Sequence, residues 1–315
     1  MSKILRPIAA LLLLALSGCS TPEAGFKPED ATLPQARYGF KTKLDAPSAK
    51  GEPAEAAPPA VFTTAFYPAA AGKLKAFVTP NPKDGKKHPA IVWITGGDSN
   101  SIGDLWSPAP ADNDQNATAF RQAGIVLMFP SLRGGNDNPG VKEGFLGEVD
   151  DILAATKWLA EQPYVDKTRI YLGGHSTGGT LALLVAESSK TYRNVFAFGP
   201  VGDVAGYGKE SGFLPFDIKN DEEVVVRSPL YWLDSIESPT WVIEGTEEGN
   251  IDSLQEMKKE SKNAKVHFLA VQGATHFDVL APTNKLIAQK ILADIGPTTN
   301  IDLNEAELTQ NFAKK

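Results

Sequence analysis

The serine at position 176 lies in a Gly-x-Ser-x-Gly pattern, Gly174-His-Ser-Thr-Gly178. The apolar run 170–172 before it predicts a buried strand, and the run 181–186 after it predicts a buried helix. Glycines beside a serine permit a sharp strand-to-helix turn that exposes the hydroxyl, as a nucleophile requires. Backbone N–H groups at the start of the helix point towards the same place, where acyl transfer develops an oxyanion. The pattern therefore predicts nucleophilic catalysis at Ser176.

A serine hydroxyl is a weak nucleophile until a base takes its proton, and the chain has only four histidines. His175 points away from its neighbour on a turn of this kind. His88 falls in a turn-rich loop, and His267 lies within the predicted strand 265–270. His276 follows that last strand at the carboxyl edge of the sheet, where α/β folds gather their ligand sites. We therefore predict His276 as the general base.

These residues and several other segments, in the same order, resemble the α/β-hydrolase fold, and more narrowly the catalytic domain of the prolyl-oligopeptidase family. The resemblance implies a three-layer α/β domain with a mostly parallel central sheet and helices on both faces. The segments that carry it are Pro89-Ala-Ile-Val-Trp-Ile-Thr-Gly96-Gly97, Arg133-Gly-Gly, Glu148-Val-Asp150-Asp151, the serine turn, Ser228-Pro229, Pro239-Thr-Trp-Val-Ile-Glu-Gly245-Thr-Glu-Glu248 and Gly273-Ala-Thr-His276-Phe277.

The resemblance also implies a carboxylate on the loop after the strand 240–244, because the hydrolase order is serine, acid, histidine. The family has an aspartate where this chain has Glu248, so Glu248 is the predicted acid. The extra methylene of a glutamate moves the carboxylate by more than about 1 Å, which keeps Glu247 open as an alternative. Asp203 and Asp278 are the remaining alternatives.

Two backbone N–H donors would form the oxyanion hole of such a hydrolase. The resemblance assigns one to Thr177, the residue after the nucleophile. It assigns the other to Gly97 or Asp98, on the loop after the predicted strand 90–95. The hydrolase fold usually has His-Gly-Gly on this loop, whereas Thr95 stands at the histidine position here.

The N-terminus has the pattern of a secretory signal. Lys3 and Arg6 precede a short apolar run, 8–16, and a small-residue segment that ends at Cys19. Leu-Ser-Gly-Cys resembles the bacterial lipobox. The resemblance implies a signal peptide over residues 1–18 and lipidation of Cys19, and Ser20 resembles lipoproteins sent to the outer membrane. We expect a lipoprotein of the bacterial outer membrane that faces the periplasm.

The domain boundaries follow from composition. Residues 19–60, rich in Pro, Ala, Lys and Glu without an apolar period, are predicted to be a disordered tether. Residues 61–296 are the predicted catalytic domain, and residues 297–315 are a tail with one short helix around 305–312.

Composition excludes several classes of protein. With 315 residues and 42% hydrophobic content, the chain is large enough for a full core. The formal net charge of −7 argues against binding to nucleic acid or to anionic lipid through charge. No motif has metal-ligand spacing or a dinucleotide fingerprint, so we predict no metal and no cofactor. Nothing in the sequence predicts an oligomeric state.

The sequence therefore predicts a serine hydrolase that cleaves an ester or a peptide bond through an acyl-enzyme. The expected substrate is a small ester or a short peptide, and the expected membrane contact is the lipid anchor alone. Thr95 and the irregular acid motivate an alternative hypothesis from another class. In that alternative, the chain is a non-catalytic hydrolase-fold lipoprotein that only binds a ligand or a partner.

Overall fold

The computed structural model describes residues 31–45 and 51–314, and these residues include one eight-stranded sheet. The predicted signal peptide and Cys19 lie outside the described residues. The strands in chain order are β1 (Thr63–Ala69), β2 (Gly72–Val78), β3 (His88–Ile94), β4 (Val126–Pro130), β5 (Val165–His175), β6 (Val195–Phe198), β7 (Thr240–Gly245) and β8 (Val266–Val271).

The strands follow the spatial order β1-β2-β4-β3-β5-β6-β7-β8. β1 pairs antiparallel with β2, and β2 with β4, whereas all later neighbours are parallel. The parallel strands therefore end along one edge of the sheet, where the loops after β3, β5, β7 and β8 emerge. Those four loops carry most of the predicted site residues. The predicted α/β-hydrolase fold class, with its mostly parallel sheet, is confirmed.

The central strands are buried on both faces, which explains their unbroken apolar sequences. In β3, Val92 belongs to one hydrophobic cluster, whereas its neighbours Ile91 and Trp93 belong to the other. Successive side chains of a strand point to opposite faces, so the two clusters are the two sides of the sheet.

Helices cover both sides of the sheet and complete the three layers. Residues of α1, α3, α4 and α6 pack in the cluster on one face, and residues of α2, α7 and α8 pack on the other. No helix in the described part of the chain is both long and apolar enough to cross a bilayer. The helices are α1 (Leu33–Arg37), α2 (Thr118–Gln122), α3 (Gly147–Ala160), α4 (Thr177–Ser188), α5 (Asp221–Val225), α6 (Ile251–Glu260), α7 (Leu280–Ala293) and α8 (Glu305–Phe312).

Residues 31–45 pack against the catalytic domain, which corrects the prediction of a disordered tether for this part of 19–60. Leu33 is fully buried in the core on the α4 side of the sheet. The guanidinium of Arg37 donates a hydrogen bond of 2.9 Å to Asp150 at the start of α3. Composition gave no sign of these contacts, because they join residues that lie far apart in the chain.

The described part of the C-terminal tail also packs on the domain. Its helix, α8, covers residues 305–312, as the sequence indicated. Leu308 is fully buried, and Ile301 and Leu303 are nearly so, in the core on the α7 side. The tail therefore adds to the core, although its sequence is mostly polar.

Glu187, near the end of α4, is a buried carboxyl group without a hydrogen bond to any described residue. Burial raises its pKa well above the usual value. The folded chain therefore holds this proton more tightly than the unfolded chain does. By linkage, this group does not lower the free energy of unfolding at pH values below the ordinary glutamate pKa. As the pH rises from that value towards the raised pKa of the folded state, the free energy of unfolding falls.

Glu187→Leu is expected to increase the free energy of unfolding at pH 8 by about 1–3 kcal/mol, the cost of an unsatisfied buried polar group. The gain should be smaller at pH 4.5, because the wild-type carboxyl is then protonated in the folded state and about half protonated in the unfolded chain. Urea unfolding of both proteins at the two pH values measures this difference. Glu256→Leu, at an exposed position of α6, is the matched control. Equal pH slopes for wild type and Glu187→Leu would contradict the prediction.

Candidate active site

Ser176 lies at the turn between β5 and α4, as the Gly-x-Ser-x-Gly pattern indicated. Its backbone has φ 55° and ψ −118°, a conformation that residues other than glycine rarely adopt. Such strain persists only where the surrounding structure imposes it. Here β5 fixes the residues before the turn, α4 fixes those after it, and Ser176 N–H donates to Phe198 O at 2.7 Å. The serine is therefore held on a rigid corner and is only half-buried.

The glycines around Ser176 are required by close backbone contacts. A Cβ atom on Gly174 would lie 2.3 Å from Gly178 O, and one on Gly178 would lie 2.3 Å from Ile94 O. Any side chain at either position would push α4 away from β3 and β5. The sequence pattern thus reflects the tight packing of helix on strand that the corner needs.

His276 lies in the loop after β8, and Glu244 holds its ring. Its Nδ1 is 2.8 Å from Glu244 Oε2, and the Glu244 side chain is fully buried near the end of β7. Glu244 Oε1 also accepts the Gly245 N–H at 2.7 Å, and Oε2 accepts the Asn250 N–H at 3.0 Å. Three N–H donors on two oxygens match an ionised carboxylate, which only accepts.

This contact corrects the choice of acid made from the sequence. Glu248 and its alternative Glu247 are exposed on the loop after β7, and the carboxylate on His276 Nδ1 belongs to Glu244. Asp203 instead caps a 3₁₀ turn by accepting the Ala205 N–H, and Asp278 accepts the Thr275 N–H. Glu244 is the last residue but one of β7, and its side chain reaches the ring of His276 directly. The available signal was a charged residue at the end of an otherwise apolar strand.

Ser176 and His276 are brought to the same edge of the sheet. The ring of His175, the neighbour of the serine, lies 4.4 Å from the ring of His276, and its Nε2 is 2.9 Å from His276 O. Within 31–45 and 51–314, no hydrogen bond joins Ser176 Oγ to His276 Nε2. Links of this kind are often long in a free enzyme and tighten when substrate binds.

The loop after β3 lies against the start of α4. Thr177 Oγ1 donates to Gly97 O at 2.9 Å, so the two predicted sources of oxyanion donors are neighbours. The N–H of Gly96 donates to Gln115 Oε1, whereas those of Gly97 and Asp98 donate to no acceptor in the described part of the chain. Thr177 opens α4, and the first N–H groups of a helix have no partner within it. The residues that carry the three predicted donors are therefore neighbours at the serine turn.

A cavity of about 510 Å³ opens beside these donors. Gly97, Asp98 and Thr177 line part of it. Its apolar wall comes from the loop before α3 and from the segment 213–215. The apolar lining residues are Phe145, Phe213, Leu214 and Pro215.

The charged groups around the cavity occur as pairs. Lys142 Nζ lies 2.7 Å from Asp98, and Lys209 Nζ lies 2.7 Å from Asp45 of the N-terminal segment. Burial raises the pKa of Asp98, but hydrogen bonds from Lys142 and Ser101 outweigh it, so the pKa lies below its usual value. The ammonium group of Lys209 also donates to two backbone oxygens, which uses all three of its donors. These pairs leave the walls without a large net charge.

Metal ligation has no candidate among the described residues, since no three His, Cys, Asp or Glu side chains cluster there as an ion would need.

A model described as the prolyl oligopeptidase family matches residues 111–291, more than half of the chain. The match contains Ser176, Glu244 and His276. The chain belongs to the prolyl oligopeptidase family. The family resemblance inferred from the sequence motifs is thereby confirmed.

Two relatives of this chain show how much of its length is matched. The acylamino-acid-releasing enzyme of Rattus norvegicus is 24% identical over 223 residues, which cover 62% of this chain and 29% of the rat protein. The uncharacterized peptidase YtmA of Bacillus subtilis (strain 168) is 28% identical over 159 residues, which cover 47% of this chain and 62% of that protein. The chain thus matches less than two thirds of the length of either relative.

Solved structures share the fold. A puromycin hydrolase superposes with a TM-score of 0.59 at 19% identity, over 76% of this chain and 41% of that chain. A hyperthermophilic esterase from Pyrobaculum calidifontis superposes with a TM-score of 0.54 at 18% identity, over 74% of this chain and 85% of that chain. This member of the prolyl oligopeptidase family therefore shares its fold with a puromycin hydrolase and with an esterase.

Proposed function

We propose that this chain is a serine hydrolase that cleaves an ester or a peptide bond through an acyl-enzyme, with Ser176 as nucleophile, His276 as base and Glu244 as acid. The observation that carries the proposal is the 2.8 Å contact between His276 Nδ1 and buried Glu244, at the edge of the sheet where Ser176 occupies a strained turn. Family membership and the names of the relatives support the same class of reaction.

The proton transfers follow from the tautomer of His276. A carboxylate only accepts hydrogen bonds, so Nδ1 carries the hydrogen and Nε2 is free to accept one. Ser176 Oγ gives its proton to Nε2 as it attacks the substrate carbonyl, and the imidazolium that forms is stabilised by Glu244. His276 then returns the proton to the leaving alcohol or amine. Water then attacks the acyl-enzyme while His276 takes its proton. The proton passes to Ser176 Oγ as the carboxylic acid product leaves.

The carbonyl oxygen becomes an oxyanion during both attacks. We assign its stabilisation to the N–H of Thr177 and to that of Gly97 or Asp98, because these groups have no acceptor among the described residues and lie together beside the serine. Donors held in place before the reaction need no reorganisation when the charge appears. The positive end of the α4 dipole acts in the same direction.

The cavity beside the donors indicates the size and polarity of the group it holds. Its volume of about 510 Å³ suits an acyl chain or a large side chain, and its four apolar lining residues favour a non-polar group. The paired charges at its walls disfavour a substrate that carries an unpaired charge there. We therefore propose small esters or short peptides with a bulky apolar group on the acyl side of the scissile bond.

Reaction of the purified protein with a fluorophosphonate tests the proposal. We expect one adduct, located by mass spectrometry on the peptide that contains Ser176. A panel of p-nitrophenyl esters and aminoacyl-arylamides with acyl groups of increasing size then separates esterase from peptidase activity. Activity should rise with apolar size until the cavity is filled. Absence of an adduct on Ser176 would reject the hydrolase and favour the non-catalytic binder.

We also propose, from the sequence alone, that Cys19 carries lipid after removal of residues 1–18 and anchors the domain to the periplasmic side of the bacterial outer membrane. Mass spectrometry of the N-terminal peptide from the membrane fraction tests this. A peptide that begins at Met1, or an unmodified Cys19, would reject the anchor.

A further inference from the structure

The side chain of Gln115, together with that of His175, joins three parts of the candidate active site. Its Oε1 accepts the Gly96 N–H at 3.0 Å, and its Nε2 is 2.7 Å from His175 Nδ1. His175 Nε2 is in turn 2.9 Å from His276 O. These bonds form a continuous path from the loop after β3, through the residue before the nucleophile, to the loop of the base.

The direction of every bond in this path is determined by its two ends. A carbonyl oxygen only accepts, so His175 Nε2 carries the hydrogen and His175 Nδ1 must accept one. A backbone N–H only donates, so the Gln115 oxygen faces Gly96 and its amide nitrogen faces His175. The second hydrogen of that nitrogen goes to Asn113 Oδ1 at 2.9 Å, which fixes the amide orientation independently.

His175 keeps this arrangement at neutral pH. Burial, together with the repulsion that a second positive charge would meet beside the His276 ring, lowers the pKa of His175 to about 3. The ring therefore stays neutral and serves as one donor and one acceptor. It is fully buried and its two ring nitrogens are both used, so it is not available to take a proton from Ser176.

We propose that Gln115 and His175 are positioning residues that fix the oxyanion loop 95–98 relative to Ser176 and His276. The inference rests on the proposed hydrolase function. Because Gln115 holds the Gly96 N–H, the peptides that follow are oriented with the N–H groups of Gly97 and Asp98 left for substrate.

Close packing makes the site sensitive to this link. A Cβ atom on Gly96 would lie 2.9 Å from His175 Nδ1 and 3.2 Å from Ser176 Cβ. The loop therefore lies in direct contact with the serine turn, and a small rotation at Gly96 moves the oxyanion donors against the nucleophile. Displacements near 1 Å in a catalytic arrangement reduce rates by about 100-fold.

Two substitutions of Gln115 separate its two bonds. Gln115→Met keeps the length of the side chain and removes both. Gln115→Glu keeps an acceptor for the Gly96 N–H, but an ionised carboxylate donates nothing to His175 Nδ1. Gln122→Met, at an exposed position of the neighbouring α2, is the matched control.

We expect Gln115→Met to lower the rate constant of fluorophosphonate inactivation by about 10- to 100-fold, and kcat on any turned-over substrate by a similar factor, with KM changed by less than about threefold. The rate constants of Gln115→Glu should lie between those of Gln115→Met and wild type, because this variant keeps the bond that holds the loop. Gln122→Met should react as wild type does.

The proposal is overturned if Gln115→Met, folded as judged by circular dichroism, reacts within about twofold of wild type. It is also overturned if Gln115→Glu is as slow as Gln115→Met, since the bond to Gly96 would then not matter. If Gln115→Met does not fold, Gln115→Leu, which also removes both bonds, replaces it in both comparisons. Failure of the hydrolase assignment looks different, because wild type itself would then not react.

Discussion

Ser176→Ala is expected to lower kcat by about 10⁴- to 10⁶-fold on any substrate that wild type turns over, and to abolish labelling by a fluorophosphonate. In the proposed mechanism the acyl-enzyme forms on this hydroxyl, because the neighbouring hydroxyl of Thr177 is buried and donates to Gly97 O. Loss of the covalent step leaves only the modest acceleration that substrate binding and the oxyanion donors provide. Stability should change little, because alanine meets the same backbone strain at φ 55° as serine does.

The measurement is steady-state kcat together with the thermal midpoint of unfolding. Ser189→Ala, a half-buried serine just beyond the other end of α4, is the matched control and should keep wild-type kcat. A Ser176→Ala variant that retains more than a tenth of wild-type kcat would contradict the assignment. Substrate binding that survives in the variant, with turnover lost, separates the role in chemistry from a role in binding.

The strands and the serine turn were predictable from the sequence, because their signals are local. Unbroken apolar runs mark strands buried on both faces, and the glycines around Ser176 mark a backbone corner with no room for side chains. The position of His276 at this edge of the sheet was also predictable, because the chain has only four histidines and one of them follows the last strand. The fold class prediction was confirmed for these reasons.

The carboxylate that contacts His276 was not predictable with the same rules. Sequence order pointed to the loop after β7, whereas the carboxylate that reaches His276 comes from Glu244 within the strand itself. The local sequence does not show whether the carboxylate comes from a long side chain within the strand or from a shorter side chain on the loop after it. Both can place a carboxylate at the same point, and only the backbone path of the loop decides between them.

Long-range contacts explain the other differences. Gln115 has no motif around it, and its importance comes from Gly96 and His175, which are distant in sequence. The N-terminal segment looks like a tether by composition, yet Asp45 reaches Lys209 at the rim of the cavity. In both cases the residue type is common and only the partner gives it a role.

Glu244→Gln is expected to lower kcat by about 10³- to 10⁴-fold, whereas Glu248→Gln should stay within about threefold of wild type. Both replacements remove a charge and keep the side-chain shape. Glu248 is exposed, so its change affects only a weak long-range field. The pair of variants therefore tests which glutamate acts, with the same chemical change at each position.

The reason for the large effect is the number of donors around Glu244. Its two oxygens accept hydrogens from His276 Nδ1, Gly245 N and Asn250 N. A glutamine offers one oxygen and one NH₂ group, so at least one of these donors must face another donor. If the oxygen faces Gly245, the NH₂ group faces both the Asn250 N–H and His276, and it drives the hydrogen of His276 from Nδ1 to Nε2. The ring can then no longer accept the proton of Ser176.

The opposite amide orientation preserves the tautomer of His276 but sets the NH₂ group against the Gly245 N–H, at a cost of about 1–3 kcal/mol for the unsatisfied buried donor. Partly retained kcat would indicate that orientation, and a kcat at the low end of the expected range would indicate the wrong tautomer. A reduced free energy of unfolding in urea is expected in both cases, because each orientation leaves one backbone N–H opposite the NH₂ group. If Glu248→Gln lost activity while Glu244→Gln kept it, the acid would have to come from the loop, and the buried contact of His276 would be structural.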